Sequence, residues 1–130
     1  MKKSPFDVSC TEPFVALQGK RKGYIQLAPA KRITTYRQLP PRFFEAAQDW
    51  AACLEESLAS PRVYWITLSE EVPHLHVHLY PRWPQDEDKQ DEQRGLPLFE
   101  ARESSPQPAW DALTKKALEE WAKRFDVYLV

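Results

Sequence analysis

Polar and apolar positions along the chain change period several times, and each change marks an element. Residues 14–18 (Phe-Val-Ala-Leu-Gln) and 23–28 (Gly-Tyr-Ile-Gln-Leu-Ala) are rich in strand formers, with a short basic stretch of Lys20, Arg21 and Lys22 between them. Glycines at both ends of that stretch predict an antiparallel hairpin with an exposed charged tip. Residues 29–40 read as a connection with room for one helical turn. From 41 to 59, Phe44, Ala47, Ala51, Leu54 and Leu58 recur at helical spacing behind a proline that a first turn tolerates, and Phe43, Trp50 and Cys53 widen the stripe. So broad an apolar face suits a helix that covers a sheet and also meets a second subunit. Residues 62–68 (Arg-Val-Tyr-Trp-Ile-Thr-Leu) predict a central strand. After a short loop, residues 74–79 alternate strictly: His74, His76 and His78 against Leu75, Val77 and Leu79. A strand there turns three imidazoles one way and three apolar side chains the other, antiparallel to its predecessor. Residues 96–101 predict a short edge strand. Residues 108–125 predict a second helix on Trp110, Leu113, Ala117, Trp121 and Phe125, followed by an apolar tail able to dock.

This rhythm predicts an α+β domain, an antiparallel β-sheet with packed helices. With 130 residues, 42% of them hydrophobic, the chain can bury one core, so residues 1–130 are read as a single domain. Residues 1–12, which show no period, are expected to form an N-terminal arm, and residues 84–95 a mobile acidic loop. Eighteen basic against nineteen acidic residues give no support for a nucleic-acid polymer as partner. No apolar run approaches membrane-spanning length and no signal-like segment follows Met1, so a cytoplasmic location is expected. Cys10 and Cys53, far apart and unpatterned, are expected to be free thiols. The five tryptophans are read as packing residues.

His74, His76 and His78 are all the histidines the chain has. On one strand face their backbones lie roughly 6.5–7 Å apart, near enough to converge on one small group. Three readings compete. The rings are a polar face with satisfied hydrogen bonds. Or they ligate a metal, with Cys10, Cys53 or a carboxylate as a further ligand, although neighbours in register on one strand do not easily reach one tetrahedral ion. Or they perform phosphoryl chemistry. An imidazole attacking phosphorus splits one hard displacement into two easier ones. That chemistry needs a neutral central ring with one nitrogen free and an acceptor on the other. Flanking rings, at least partly protonated, then stabilise charge or protonate a leaving oxygen.

His74-Leu-His76-Val-His78-Leu-Tyr80 resembles the histidine triad pattern, His-φ-His-φ-His-φ-φ with φ apolar, and the Pro81-Arg82 that follows is frequent there. Upstream, Gly23-Tyr-Ile-Gln-Leu-Ala-Pro29-Ala-Lys31-Arg32-Ile33 is similar to the family's strand and Pro-Lys-Arg-His-Val type turn. The resemblance covers roughly residues 13 to 83, with a looser continuation at Arg94-Gly-Leu-Pro-Leu-Phe99. It implies the histidine triad fold, a twofold homodimer, and a nucleotide hydrolase or nucleotidyl transferase acting at an α-phosphate. Substrates of that kind are dinucleoside polyphosphates and nucleoside phosphoramidates. His76 would carry the nucleotidyl group, His74 would fix geometry, and His78 would contact the phosphate or departing oxygen. Lys31, Arg32, Ser69 and Arg82 are candidate substrate-binding residues. No metal or cofactor is implied beyond Mg²⁺ accompanying a polyphosphate.

The chain departs from that pattern in three places. Arg32 stands where the family commonly has a fourth histidine; arginine can fork onto phosphate oxygens but cannot shuttle protons. The loop before the triad reads Leu68-Ser69-Glu70-Glu71, where a polar amide or hydroxyl is usual; Ser69 is the nearest substitute, and the carboxylates repel a polyphosphate unless they face away or hold a cation. The ribose-contacting segment between the early strands is cut down to the basic hairpin turn. Two alternatives therefore stay beside the enzyme reading: a catalytically reduced nucleotide-binding module of the same fold, and a His-ligated metalloprotein.

Overall fold

The computed structural model describes residues 4–84, 86, 95–103 and 106–130. Strands β1 (Phe14–Gln18) and β2 (Ile25–Pro29) form the expected antiparallel hairpin, with Phe14 opposite Pro29 and Gln18 opposite Ile25. The connection that follows holds one 3-10 turn (Tyr36–Gln38). Helix α1 (Pro41–Glu56) leads to β3 (Arg62–Ile66) and β4 (Val77–Arg82); α2 (Leu96–Glu100) and α3 (Ala112–Phe125) precede β5 (Val127–Leu129).

The five strands among the described residues lie in the order β3-β4-β2-β1-β5. Four pair antiparallel, but the docked tail runs parallel to β1, so the sheet is mixed rather than antiparallel throughout. The parallel strand is possible because α3 supplies the long return that such a pairing needs. Strand β3, expected at the centre, is an edge among the described residues: there it pairs with β4 alone, and Trp65 keeps 43% of its surface exposed. Its strand-forming residues set its conformation without setting its place in the sheet. Residues 96–100, expected to be a strand, are helical. Gly95 at φ +64 turns the chain, and Pro97 sits in the first turn, where no amide donor is needed.

Both long helices pack on the sheet face carrying Phe14, Ala16, Ile25, Leu27, Val77 and Leu79. The heavy tryptophans set the phase of each helix. In α1 the buried set is Phe43, Ala46, Ala47, Trp50 and Leu54, whereas Phe44 is 41% exposed. In α3 it is Thr114, Leu118, Trp121 and Ala122, whereas Leu113 is 66% exposed. Each buried indole finds an acceptor: Trp50 Nε1 donates to Gly23 O (2.9 Å) and Trp121 Nε1 to Ala46 O (2.8 Å). Asp111 caps α3 by accepting from the Thr114 amide at 2.8 Å.

The hairpin turn corrects another expectation. Arg21 is 1% exposed, not part of an exposed tip. Its guanidinium meets the Asp86 carboxylate at 2.6 Å and also donates to Tyr80 Oη, Gln107 Oε1 and Pro81 O. Asp86 is thereby tied down, while the rest of the acidic loop (85 and 87–94) lies outside the described residues. The N-terminal segment also packs: Phe6 is 1% exposed, on the sheet face opposite the long helices, against Val15 and Ala28. No helix among the described residues is long and apolar enough to cross a membrane.

Candidate active site

The alternation of residues 74–79 survives in three dimensions. Leu75, Val77 and Leu79 enter the core beneath the long helices, and the imidazoles take the opposite face. Regular pairing starts only at Val77, with His78 opposite Gln26 on one side and Ile66 on the other. His74 and His76 therefore sit on irregular backbone, held by Leu75 N–H donating to Ile33 O (2.8 Å) and Thr67 Oγ1 donating to His76 O (2.7 Å).

The three rings differ in environment. His74 is fully buried; its Nε2 lies 2.6 Å from Pro29 O, to which it donates, and its Nδ1 lies 3.1 Å from Ser4 Oγ, from which it accepts. A neutral ring has one donor and one acceptor, so both nitrogens are used. Burial holds its pKa below the usual imidazole range. His76 is half-buried, with Nδ1 2.8 Å from His74 O. A carbonyl only accepts, so Nδ1 carries the proton and Nε2 keeps its lone pair. His78, also half-buried, places Nδ1 2.8 Å from Tyr24 Oη. Burial, helped by the neighbouring His76 ring and the charge of Arg102, pushes its pKa down to about 4. The His76 and His78 rings meet edge to face with centroids 5.2 Å apart.

His76 and His78 line an open cavity of about 420 Å³. Gln26 and Ser69 lie beside them, Glu70 and Glu71 form an exposed rim, and Phe99 and Arg102 close the side formed by α2 and the turn after it. The Arg102 guanidinium stacks on the Phe99 ring at 3.9 Å, and that ring touches His78 edge-on at 4.9 Å. The flanking rings were expected to be partly protonated. Burial instead keeps His74 and His78 neutral near pH 7, so they act as hydrogen-bonding groups, and the described cation lining the cavity is Arg102.

Ser69, at φ +54, reaches the site: its Oγ is 3.5 Å from His76 Nδ1 and 3.4 Å from the His76 amide. Lys31, Arg32 and Arg82 do not line the cavity. Lys31 is exposed, and Arg32 pairs with Asp7 at 2.8 Å, where its charge bears on His74. Arg82 lies further along β4, opposite Arg62. Tyr24, Phe99, Arg102, Ser4 and Phe6 were not singled out from the sequence. Phe99 closed the looser stretch of resemblance, but nothing in residues 1–12 marks Phe6 as a cover for His76, whose ring centroid is 5.0 Å away. Among the described residues no three His, Cys, Asp or Glu side chains gather as a metal site, and Cys10 and Cys53 are free thiols.

No family model matches the chain, and no curated protein matches it. Solved structures do. A histidine triad protein from Marinobacter aquaeolei VT8 is 14% identical, with a TM-score of 0.50 over 78% of this chain and 72% of that one. A histidine triad protein from Sinorhizobium meliloti 1021 is 20% identical, with a TM-score of 0.43 over 79% and 72% of the two chains. A Zn-bound histidine triad family protein from Mycobacterium smegmatis is 16% identical, with a TM-score of 0.46 over 94% and 89%. The Marinobacter structure supports the shared architecture: the fold of this chain is the histidine triad fold.

Proposed function

We propose that this histidine triad fold works as a nucleotide hydrolase or nucleotidyl transferase, acting at an α-phosphate through a covalent intermediate on His76. The observation that carries the reading is the hydrogen bond from His76 Nδ1 to His74 O at 2.8 Å, which leaves Nε2 as an unprotonated nucleophile on a ring that lines the cavity. In the first step Nε2 attacks the α-phosphorus, the P–N bond forms, and the bond to the leaving group breaks with its electron pair. The imidazolium so formed keeps its Nδ1 proton on the His74 carbonyl. A polyphosphate leaves as an anion, and an amine takes a proton from solvent. In the second step water attacks phosphorus, the P–N pair returns to Nε2, and the water's proton passes to solvent.

His78 donates a hydrogen bond to a phosphate oxygen in this scheme, and Arg102 supplies positive charge. Mg²⁺ accompanies a polyphosphate substrate. Homodimerisation and a cytoplasmic location belong to the same proposal and rest on the sequence resemblance and composition alone. One observation favours the reduced, binding-only reading: Arg32, in the place of the family's fourth histidine, is held by Asp7 rather than facing the cavity. Turnover decides between the two.

The test is mass spectrometry after brief, acid-free quenching with a panel of dinucleoside polyphosphates and nucleoside phosphoramidates. The expected result is a nucleotidyl adduct on His76. His76→Ala is expected to lose the adduct and reduce turnover by on the order of 10³-fold or more while remaining folded. Unchanged turnover in that variant rules out the mechanism, and nucleotide binding without any cleavage selects the binding module.

A further inference from the structure

The turn ahead of β2 is shaped around one aromatic ring. Tyr24 is 4% exposed, with Tyr80 edge-on at 4.9 Å and Phe99 at 6.4 Å. A Cβ placed on Gly19 would lie 2.1 Å from Tyr24 Cδ2, so residue 19 has to be glycine because the ring occupies that space. The Gly19 amide donates to Tyr24 O at 2.9 Å and the Tyr24 amide to Arg21 O at 3.0 Å, which ties the ring's backbone on both sides. A ring packed so closely cannot swing, and its hydroxyl stands 2.8 Å from His78 Nδ1.

The direction of that hydrogen bond follows from its neighbours. A phenol both donates and accepts, and a neutral imidazole does one at each nitrogen. Arg102, which only donates, bears on the Tyr24 oxygen and favours electron density there. The phenolic proton is therefore directed away from the guanidinium, toward His78 Nδ1. Burial keeps the phenol protonated, with its pKa raised to about 12, and keeps the His78 ring neutral, so the nitrogen that accepts from the phenol carries no proton. The ring must then carry its single proton on Nε2. His76 has the reverse arrangement, with its proton on Nδ1 against the His74 carbonyl.

We propose that Tyr24 is a positioning residue that fixes His78 as an Nε2–H donor, the tautomer opposite to that of His76, so that two adjacent rings offer one lone pair and one hydrogen bond. The assignment of these to attack and to phosphate binding rests on the function proposed above; the tautomers do not. The groups facing His78 are His76 on its own strand segment, Tyr24 and Gln26 from the hairpin and β2, Phe99 and Arg102 from α2 and its end, and Glu70 and Glu71 at the cavity rim.

Long-range ¹H–¹⁵N correlation spectra of the whole chain at pH 7.5 read each ring nitrogen directly and need no turnover. The expected pattern is a lone-pair nitrogen at His78 Nδ1 and a protonated one at Nε2, with His76 showing the converse. Tyr24→Phe, which keeps the ring and removes the oxygen, is expected to mix the His78 tautomers and leave His76 unchanged. Gly19→Ala, which displaces the ring and keeps the hydroxyl, is expected to produce part of the same effect. On active protein Tyr24→Phe is expected to reduce kcat on the order of 10–100-fold, with KM less affected, as loss of an orienting partner does. A protonated Nδ1 at His78 in the unaltered chain, or unchanged His78 nitrogen shifts in Tyr24→Phe, overturns the proposal. Absence of turnover with the expected nitrogen pattern refutes the hydrolase reading and leaves the tautomer assignment standing.

Discussion

Lowering the pH from 6.5 toward 4 is predicted to destabilise the fold, and His78 is the main reason. In the unfolded chain this ring binds a proton below its ordinary pKa of 6.5; in the fold it does so only near 4, because burial disfavours the charged form. Between those values the unfolded state holds more protons, so stability falls as the pH falls, with the full loss reached at the lower limit. At 1.36 kcal/mol per unit, the displacement from 6.5 to about 4 sets a ceiling of ~3 kcal/mol, and because the ring is only half-buried, solvent screening reduces the expected loss to about 1–2 kcal/mol. His74, displaced in the same direction, adds to the slope. Asp7 and Asp111 have carboxyls held below 3.8, so their contributions begin to be lost only below about pH 5 and leave the slope between pH 6.5 and 5 undisturbed. The assay is urea unfolding followed by tryptophan fluorescence at half-unit steps from pH 7.5 to 4.5. His78→Gln, which cannot take up the proton, should flatten part of the slope and leave the contribution of His74. A midpoint that does not move between pH 7.5 and 5, or a variant with the parental slope, refutes the argument.

Two further outcomes follow from buried contacts that lie outside the triad. Asp86→Ala leaves the Arg21 guanidinium buried without its carboxylate and is expected to cost about 3–5 kcal/mol in the same unfolding assay; Arg21→Met combined with Asp86→Leu is expected to recover most of it, and a double variant as unstable as the single one contradicts the reading. Phe6→Ala removes the ring packed on His74 and His76 and is expected to cost about 3 kcal/mol and to speed modification of His76 by an imidazole-directed acylating reagent; an unchanged rate would show that the N-terminal segment does not shield the ring.

What was legible in the sequence was local. The hairpin, the first helix and the two-sided nature of residues 74–79 each follow from a period repeated within a few residues, and the structure keeps all three. What was illegible depended on partners far along the chain. Arg21 read as a solvated tip because its acceptors, Asp86 and Gln107, are 65 and 86 residues away. Trp65 and its neighbours have the composition of a central strand, but strand order is decided by which edges the helices and the tail leave open. The helix phases were displaced because spacing alone counts Phe44 and Trp50 alike, whereas packing favours the larger side chain whose indole also finds a carbonyl. Ser4 and Phe6 carry no periodic signal, and their contribution exists only because the chain start folds across the sheet beside His74.

Strict alternation predicts a regular strand from residue 74 to 79, yet pairing begins at Val77. A regular strand would have spent the His74 carbonyl on a neighbouring strand, because a buried main-chain acceptor has to be satisfied. Where the pairing stops, that carbonyl instead turns to the ring two residues on and becomes the acceptor for His76 Nδ1. Thr67 Oγ1 takes over the His76 carbonyl, so the break leaves that group satisfied as well. The tautomer of the central ring is thus set by main chain, not by a side chain that one substitution could remove. Apolar alternation holds the segment in register through Leu75, Val77 and Leu79, since a one-residue slip would send the imidazoles into the core. Irregular backbone inside that register then frees the oxygen that fixes the tautomer of His76.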